Sequence, residues 1–128
     1  MIIRPTQAQD IESICSIYGH HVVHGTGTFE TEAPSVAEMQ RRWLSIVELG
    51  MPHLVLTSAQ VVLGFAYASQ FRPRPGYAKS FEDSVYVAPG AEGRGAGYRH
   101  LLRQRQMHVA GAGRHVHDQV IQFSPVHI

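Results

Sequence analysis

The chain predicts a mixed α/β domain of the α+β kind, in the order β-α-α-β-β-β-α-β, and three observations carry that expectation. Apolar residues recur at helical spacing in two early segments and gather into β-branched runs in the middle of the chain. Two of those runs, "HLVLTS" and "VVLGFAYASQF", are separated only by Ala59 and Gln60, which reads as a tight antiparallel hairpin. Further on, "SVYVAPGAEGRGAGYRHLL" passes from a strand through closely spaced glycines into a helix-like tail.

Taken in order, "MIIRP" is a short apolar strand closed by Pro5. Thr6 followed by Gln9 matches a capping box, and Ile11, Ile14, Ile17, Tyr18 and Val22 then trace one helical face as far as Gly25. "GTGTFETEAP" is a loop. Ser35 and Glu38 repeat the capping pattern and open a second helix carrying Met39, Trp43, Ile46 and Val47, which stops at Gly50. After the hairpin, "RPRPGY" is a stiff connector. "SFEDSVYVA" is a strand broken by Pro89, a helix starts near Gly97 and fades in "AGAG", and "HVHDQVIQF" is the last strand.

Composition narrows the function. With 128 residues and a formal net charge of +1, the chain is expected to be one domain, residues 1–128, without a broad nucleic-acid footprint. No apolar run reaches membrane-spanning length and no leader pattern opens the chain, so the expected location is cytoplasmic, away from membranes. Cys15 is the single cysteine and falls with Ile11, Ile14 and Tyr18 on a helical face, a packing position rather than a nucleophile's. His20, His21 and His24 cluster on the first helix and His115 and His117 share a strand face, but neither group has zinc-like spacing. No metal is expected.

Glycines between a strand and a helix expose backbone N–H groups to an anion, and phosphate is the natural ligand. A Walker loop needs Gly-Lys-Ser/Thr, which is missing. A dinucleotide fingerprint fits poorly, because His100 stands where its third glycine would fall and Asp118 alone offers a ribose contact. Gly95 and Gly97 do match the Gln/Arg-x-x-Gly-x-Gly/Ala pattern of a coenzyme A pyrophosphate loop.

That loop, together with "IRPTQAQDIESICSIYGHHVVHGTGTFETEAPS", "LGFAYASQFRPRPGY" and "EDSVYVAPGAEGRGAG", resembles the GNAT acyltransferases, and within them the phosphinothricin (methionine sulfoximine) N-acetyltransferase type. The resemblance is collinear over roughly residues 2–102 and implies the GNAT fold, a mixed twisted sheet flanked by helices. Two departures stand out. Glu92 replaces the Gln or Arg of the pattern, a carboxylate costing about 1 kcal/mol beside a pyrophosphate, with Arg94 placed to compensate. The chain also reaches Ile128 with Ser124 where relatives carry an Asn, so a C-terminally truncated domain lacking the last helix and strands is expected.

The resemblance implies acetyl transfer from acetyl-CoA to the amine of a small amino-acid-like substrate. Such a reaction needs a deprotonated amine, a polarised thioester carbonyl and a stabilised thiolate. Glu82 is the implied base; Asp83 falls on the opposite strand face, so the two are not a catalytic pair. Val85, Tyr86 and Val87 would pair with the pantetheine arm like an added strand, on a strand that carries a bulge in this fold. Gly93, Arg94, Gly95, Ala96, Gly97 and Tyr98 would hold the pyrophosphate. Phe71, Pro75, Gly76 and Tyr77 would wall the acceptor pocket, with Arg72 or Arg74 meeting a carboxylate and Phe29 and Glu30 nearby. A homodimer is expected from the same resemblance. The alternative is a catalytically impaired remnant that binds acyl-CoA weakly or acts only by association, with its fifth strand an exposed edge.

Overall fold

The computed structural model describes residues 2–24, 30–70, 80–91 and 115–123. Five strands make one sheet in the order β1 (Ile2–Pro5), β2 (His53–Ser58), β3 (Val61–Gln70), β4 (Ser80–Val87) and β5 (His115–Phe123). Neighbours pair antiparallel from β1 to β4, and β5 lies parallel to β4. Two α-helices, α1 (Ile11–Val23) and α2 (Val36–Glu48), and a 3-10 turn at Ala8–Asp10 complete the described elements. The helix expected from about Gly97 lies outside the described residues. None of the described helices is long and apolar enough to cross a membrane.

The entry into α1 departs from expectation. The capping pair is not Thr6 and Gln9 but Gln7 and Asp10, one residue later, around a single 3-10 turn at Ala8–Asp10. The Gln7 N–H donates to Asp10 Oδ2 at 2.7 Å, and a charged carboxylate is the stronger acceptor. Thr6 is occupied elsewhere: it is buried, and its hydroxyl lies 2.7 Å from His53 Nδ1 at the start of β2. Arg4 completes the corner with two hydrogen bonds to the Asp10 carboxylate, at 2.7 and 2.8 Å. Burial works to raise the Asp10 pKa, but the Arg4 guanidinium and the Gln7 N–H together hold it below the usual carboxylate range.

The second helix starts and stops as its sequence indicates. Ser35 Oγ accepts from the Glu38 N–H at 3.1 Å, an N-cap of about 1 kcal/mol. At the other end Gly50 adopts φ +72°, its N–H bonds the Val47 carbonyl, and the Met51 N–H bonds the Ile46 carbonyl. This is a Schellman stop, with Met51 and Ile46 meeting in one apolar cluster. Val47, expected on the inner face, is instead half-exposed; Met39 and Ile46 carry the burial.

Between β2 and β3 the turn is the two-residue kind, with Ser58 opposite Val61 and both Ala59 (φ +50°) and Gln60 (φ +67°) left-handed. Four residues on, Leu56 faces Gly64 while Thr57 faces Val62, so Leu63 is the extra residue of a bulge. The sheet then has two unlike faces. Val55, Phe65 and Tyr86 pack against Ile14, Ile17, Tyr18 and Met39 of the helices. Leu54, Leu56, Ala66, Val85 and Val87 form a separate aliphatic layer on the reverse.

Candidate active site

β4 is the strand on which the expected chemistry converges. Its ladder with β3 runs without interruption from Gly64↔Val87 to Gln70↔Phe81, so no bulge breaks it on that side. The irregularity lies on the β5 side: Phe81 faces Val116 and Asp83 faces Ile121, leaving Glu82 at the discontinuity. Position 82 pairs with Ser69 and, by strand alternation, shares the helix-side face with Ser84 and Tyr86. Position 83 alternates with Val85 and Val87 on the aliphatic side.

The phase of the ladder sorts the backbone groups of this strand. The Ala88 N–H bonds the Leu63 carbonyl at 2.8 Å, so Tyr86 and Ser84, at even spacing from Ala88, also direct their N–H and C=O toward β3. Val85 and Val87 direct theirs to the other edge. Of the three residues expected to pair with a pantetheine arm, Val85 already faces Phe123 of β5, Val87 lies beyond the last β4–β5 pair, and Tyr86 turns its backbone to β3 and its ring into the core at 1% exposure. His21 Nε2 lies 2.8 Å from the Val87 carbonyl oxygen and, since a carbonyl only accepts, carries the proton. Beyond Val87 the chain turns: the Ala91 N–H bonds the Ala88 carbonyl, and Gly90 sits at φ +84°.

On the helix side a cavity of about 340 Å³ opens between α2 and the sheet, bordered by Tyr18, Arg42, Trp43, His53 and Tyr67. His53 stacks on Tyr67 at 5.3 Å between ring centroids and on Phe65 at 6.0 Å. Its burial drives the imidazole pKa down to about 3, so the ring is neutral near pH 7. Tyr86 meets Tyr18 edge-on at 5.1 Å, and burial pushes its hydroxyl far above the ordinary tyrosine range. Trp43 Nε1 is buried and has no hydrogen-bond partner among the described residues.

A charge network closes one side of this cavity. Arg42 bonds Glu30 at 2.5 Å and Glu38 at 2.7 Å, and Tyr18 donates to Glu30 at 3.1 Å. Burial opposes the Arg42 charge, but its bonds to Glu38 and Glu30 outweigh that and raise its pKa. Arg41 and then Arg42 hold Glu38 at about 2. Glu30 is therefore tied to both helices, through Tyr18 of α1 and Arg42 of α2. Phe29, the connector from Phe71, Arg72, Arg74, Pro75 and Gly76 to Tyr77, and the glycine loop with Glu92 and Gly93–Tyr98 lie outside the described residues. Among the described residues no three His, Cys, Asp or Glu side chains converge as a metal site.

Sequence reasoning did not single out His21, His53, Trp43 or Arg42 for this region. His21 had a signal: it follows Ile14, Ile17 and Tyr18 at seven, four and three residues, on the same helical face. His53 had none, since its partners Thr6, Phe65 and Tyr67 are assembled only by strand pairing.

Comparison with known proteins decides the family. No protein-family model matches the chain. A phosphinothricin N-acetyltransferase of Streptomyces coelicolor is 42% identical over 121 residues, covering 87% of this chain and 70% of that protein. The chain belongs to the phosphinothricin N-acetyltransferase family of the GNAT superfamily. Another phosphinothricin N-acetyltransferase, from Alcaligenes faecalis, is 42% identical over 100 residues, 78% of this chain. The GNAT phosphinothricin acetyltransferase of Sinorhizobium meliloti, solved in complex with acetyl-CoA, superposes with a TM-score of 0.77 at 40% identity over 85% of this chain. The chain spans about half the length of the Alcaligenes protein and 60% of the Sinorhizobium one. Its five-stranded sheet, antiparallel as far as β4 and parallel beyond, is that of the GNAT fold.

Proposed function

We propose that the chain transfers acetyl from acetyl-CoA to the amino group of a small amino-acid-like acceptor of the phosphinothricin or methionine sulfoximine type. The observation that carries this reading is the arrangement on β4. An acidic position, 82, lies at the β4–β5 discontinuity, and beyond the last β4–β5 pair, Val85↔Phe123, the outward backbone groups of Val87 follow it. Those groups suit an extended, amide-bearing arm, and the Gly90 turn leads on toward the glycine-rich segment expected to meet its pyrophosphate. When bound, acetyl-CoA supplies the activated acyl carbon and the leaving thiolate, so the amine gains a C–N bond as the C–S bond breaks.

Glu82 takes the proton that the amine must lose, through water. Val87 meets the arm where β4 runs past β5, and Gly93–Tyr98 bind the diphosphate. Glu30, fixed by Arg42 and Tyr18, and the cavity beyond it accept the body of the acceptor. Phe71, Arg72, Arg74, Pro75, Gly76 and Tyr77 complete that pocket. The working form is a cytoplasmic homodimer, for which light scattering should give twice the chain mass of 14.2 kDa.

The deciding experiment pairs thiol release with a binding titration. Glu82→Gln should lower kcat with phosphinothricin by about 100-fold or more while acetyl-CoA binding stays within about twofold. A Glu82→Gln protein as fast as the parent removes Glu82 from the mechanism. A parent chain that gives no heat with acetyl-CoA favours the impaired remnant instead.

A further inference from the structure

α1 reaches the coenzyme-side edge of β4 through one side chain. His21 is 8% exposed, its Nε2–H donates to the Val87 carbonyl at 2.8 Å, and its ring lies against Tyr86 at 5.5 Å and His20 at 5.4 Å between centroids. Val87 is the last residue of β4. Its carbonyl points away from β3, and the recorded pairing with β5 ends earlier, at Val85↔Phe123. No strand therefore meets this carbonyl among the described residues; a helix side chain does. The same helix carries Tyr18, whose hydroxyl bonds Glu30 on the acceptor side.

From these contacts we infer that His21 is a positioning residue for the coenzyme. Its ring N–H pins the carbonyl at the end of β4, and this sets the direction in which Val87 and the Ala88–Ala91 turn deliver the chain to the glycine-rich segment. The inference rests on the acetyl-CoA reading above. It adds a residue on α1 that touches neither reacting atom yet controls how well the coenzyme edge is formed. Tyr86 backs the ring at 1% exposure, so the imidazole has no room to retreat into the core and the contact is held from both sides.

Gln places an amide N–H near the position of His Nε2, whereas Phe keeps an aromatic ring and removes the donor, so the two substitutions separate hydrogen bonding from packing. In titrations of the full 128-residue chain with acetyl-CoA, His21→Phe should weaken binding by about 3- to 10-fold, the range of one lost hydrogen bond, with His21→Gln within about twofold of the parent. The KM for acetyl-CoA should rise in parallel in His21→Phe and the KM for the amine should not. Nitrogen-15 spectra of the histidine rings should show His21 protonated at Nε2 and the Val87 carbonyl shift moving in His21→Phe but not in His21→Gln.

Equal acetyl-CoA affinity in the parent and His21→Phe, or a matching rise in both KM values, overturns the positioning role while leaving the acetyl-transfer reading intact. A parent that binds no acetyl-CoA overturns both. A His21 ring protonated only at Nδ1 overturns the hydrogen bond itself, whatever the activity.

Discussion

The two faces of the sheet are built from different materials. The buried layer of the reverse face is aliphatic: Leu54, Leu56, Ala66, Val85 and Val87. The helix-side face carries Phe65, Tyr67 and Tyr86 with His53 and Ser84 between the rings, and His21 and Tyr18 press on it from α1. An aliphatic layer needs only shape and volume to be stable. A layer of rings and hydroxyls needs every donor placed, which is more demanding and more useful, because the same groups can read a ligand. Position 82 alternates onto the demanding face and position 83 onto the plain one.

Truncating each face tests the contrast most severely. Phe65→Ala should cost about 3–5 kcal/mol in denaturant unfolding and leave a cavity beside Tyr67 and Tyr86. Leu56→Ala should cost about 2–5 kcal/mol but spare acetyl transfer per folded molecule. If Leu56→Ala lost as much specific activity as Phe65→Ala, the division of labour between the faces would be wrong.

Acid should separate the faces next. The folded-state pKa of His53 is about 3 against 6.5 for the free ring. Between those values the unfolded chain binds the extra proton, so stability attributable to this ring is complete above pH 6.5 and declines as pH falls toward 3. By pH 5 the loss should reach about 2 kcal/mol. His53→Phe keeps the stacking on Phe65 and Tyr67 and should flatten the unfolding free energy between pH 7 and 5. Asp10, whose pKa is lowered, contributes in a lower window: its stabilisation is present above the ordinary aspartate range and fades as pH falls through the folded value. An unchanged slope between pH 7 and 5 in His53→Phe would assign that acid sensitivity elsewhere.

The smallest effect is a gain, far from either face. Ala59 and Gln60 both hold positive φ, which side chains with a Cβ adopt at a cost. Replacing the pair with Asn-Gly should raise stability by about 1 kcal/mol and leave transfer rates untouched. A destabilised Asn-Gly variant would mean the turn is set by contacts other than its own backbone.

Local chemistry was legible from sequence where a few neighbouring residues decide the outcome. The Ser35 cap, the Gly50 stop and the Ala59–Gln60 hairpin all follow from short-range rules, and all are present. Thr6 shows where such rules fail. Its pattern with Gln9 suits a cap, but His53, distant in sequence, competes for the hydroxyl and Asp10 offers the helix start a better acceptor. The candidate site divides in the same way. The strand Ser80–Val87 was legible in its β-branched run, while the role expected of Glu82 rests on the resemblance alone. The Arg42–Glu30 bond and the His21–Val87 contact join segments that no local pattern connects.

The Trp43 indole of α2, without a hydrogen-bond partner among the described residues, has a practical consequence. The chain contains a single tryptophan beside five tyrosines, so its indole emission comes entirely from Trp43, at the wall of the cavity between α2 and the sheet. An indole N–H shut away from solvent and hydrogen bonds emits toward the blue and is poorly reached by dissolved quenchers. The protein thus carries its own optical probe: an acceptor entering the cavity should change the colour or yield of that emission.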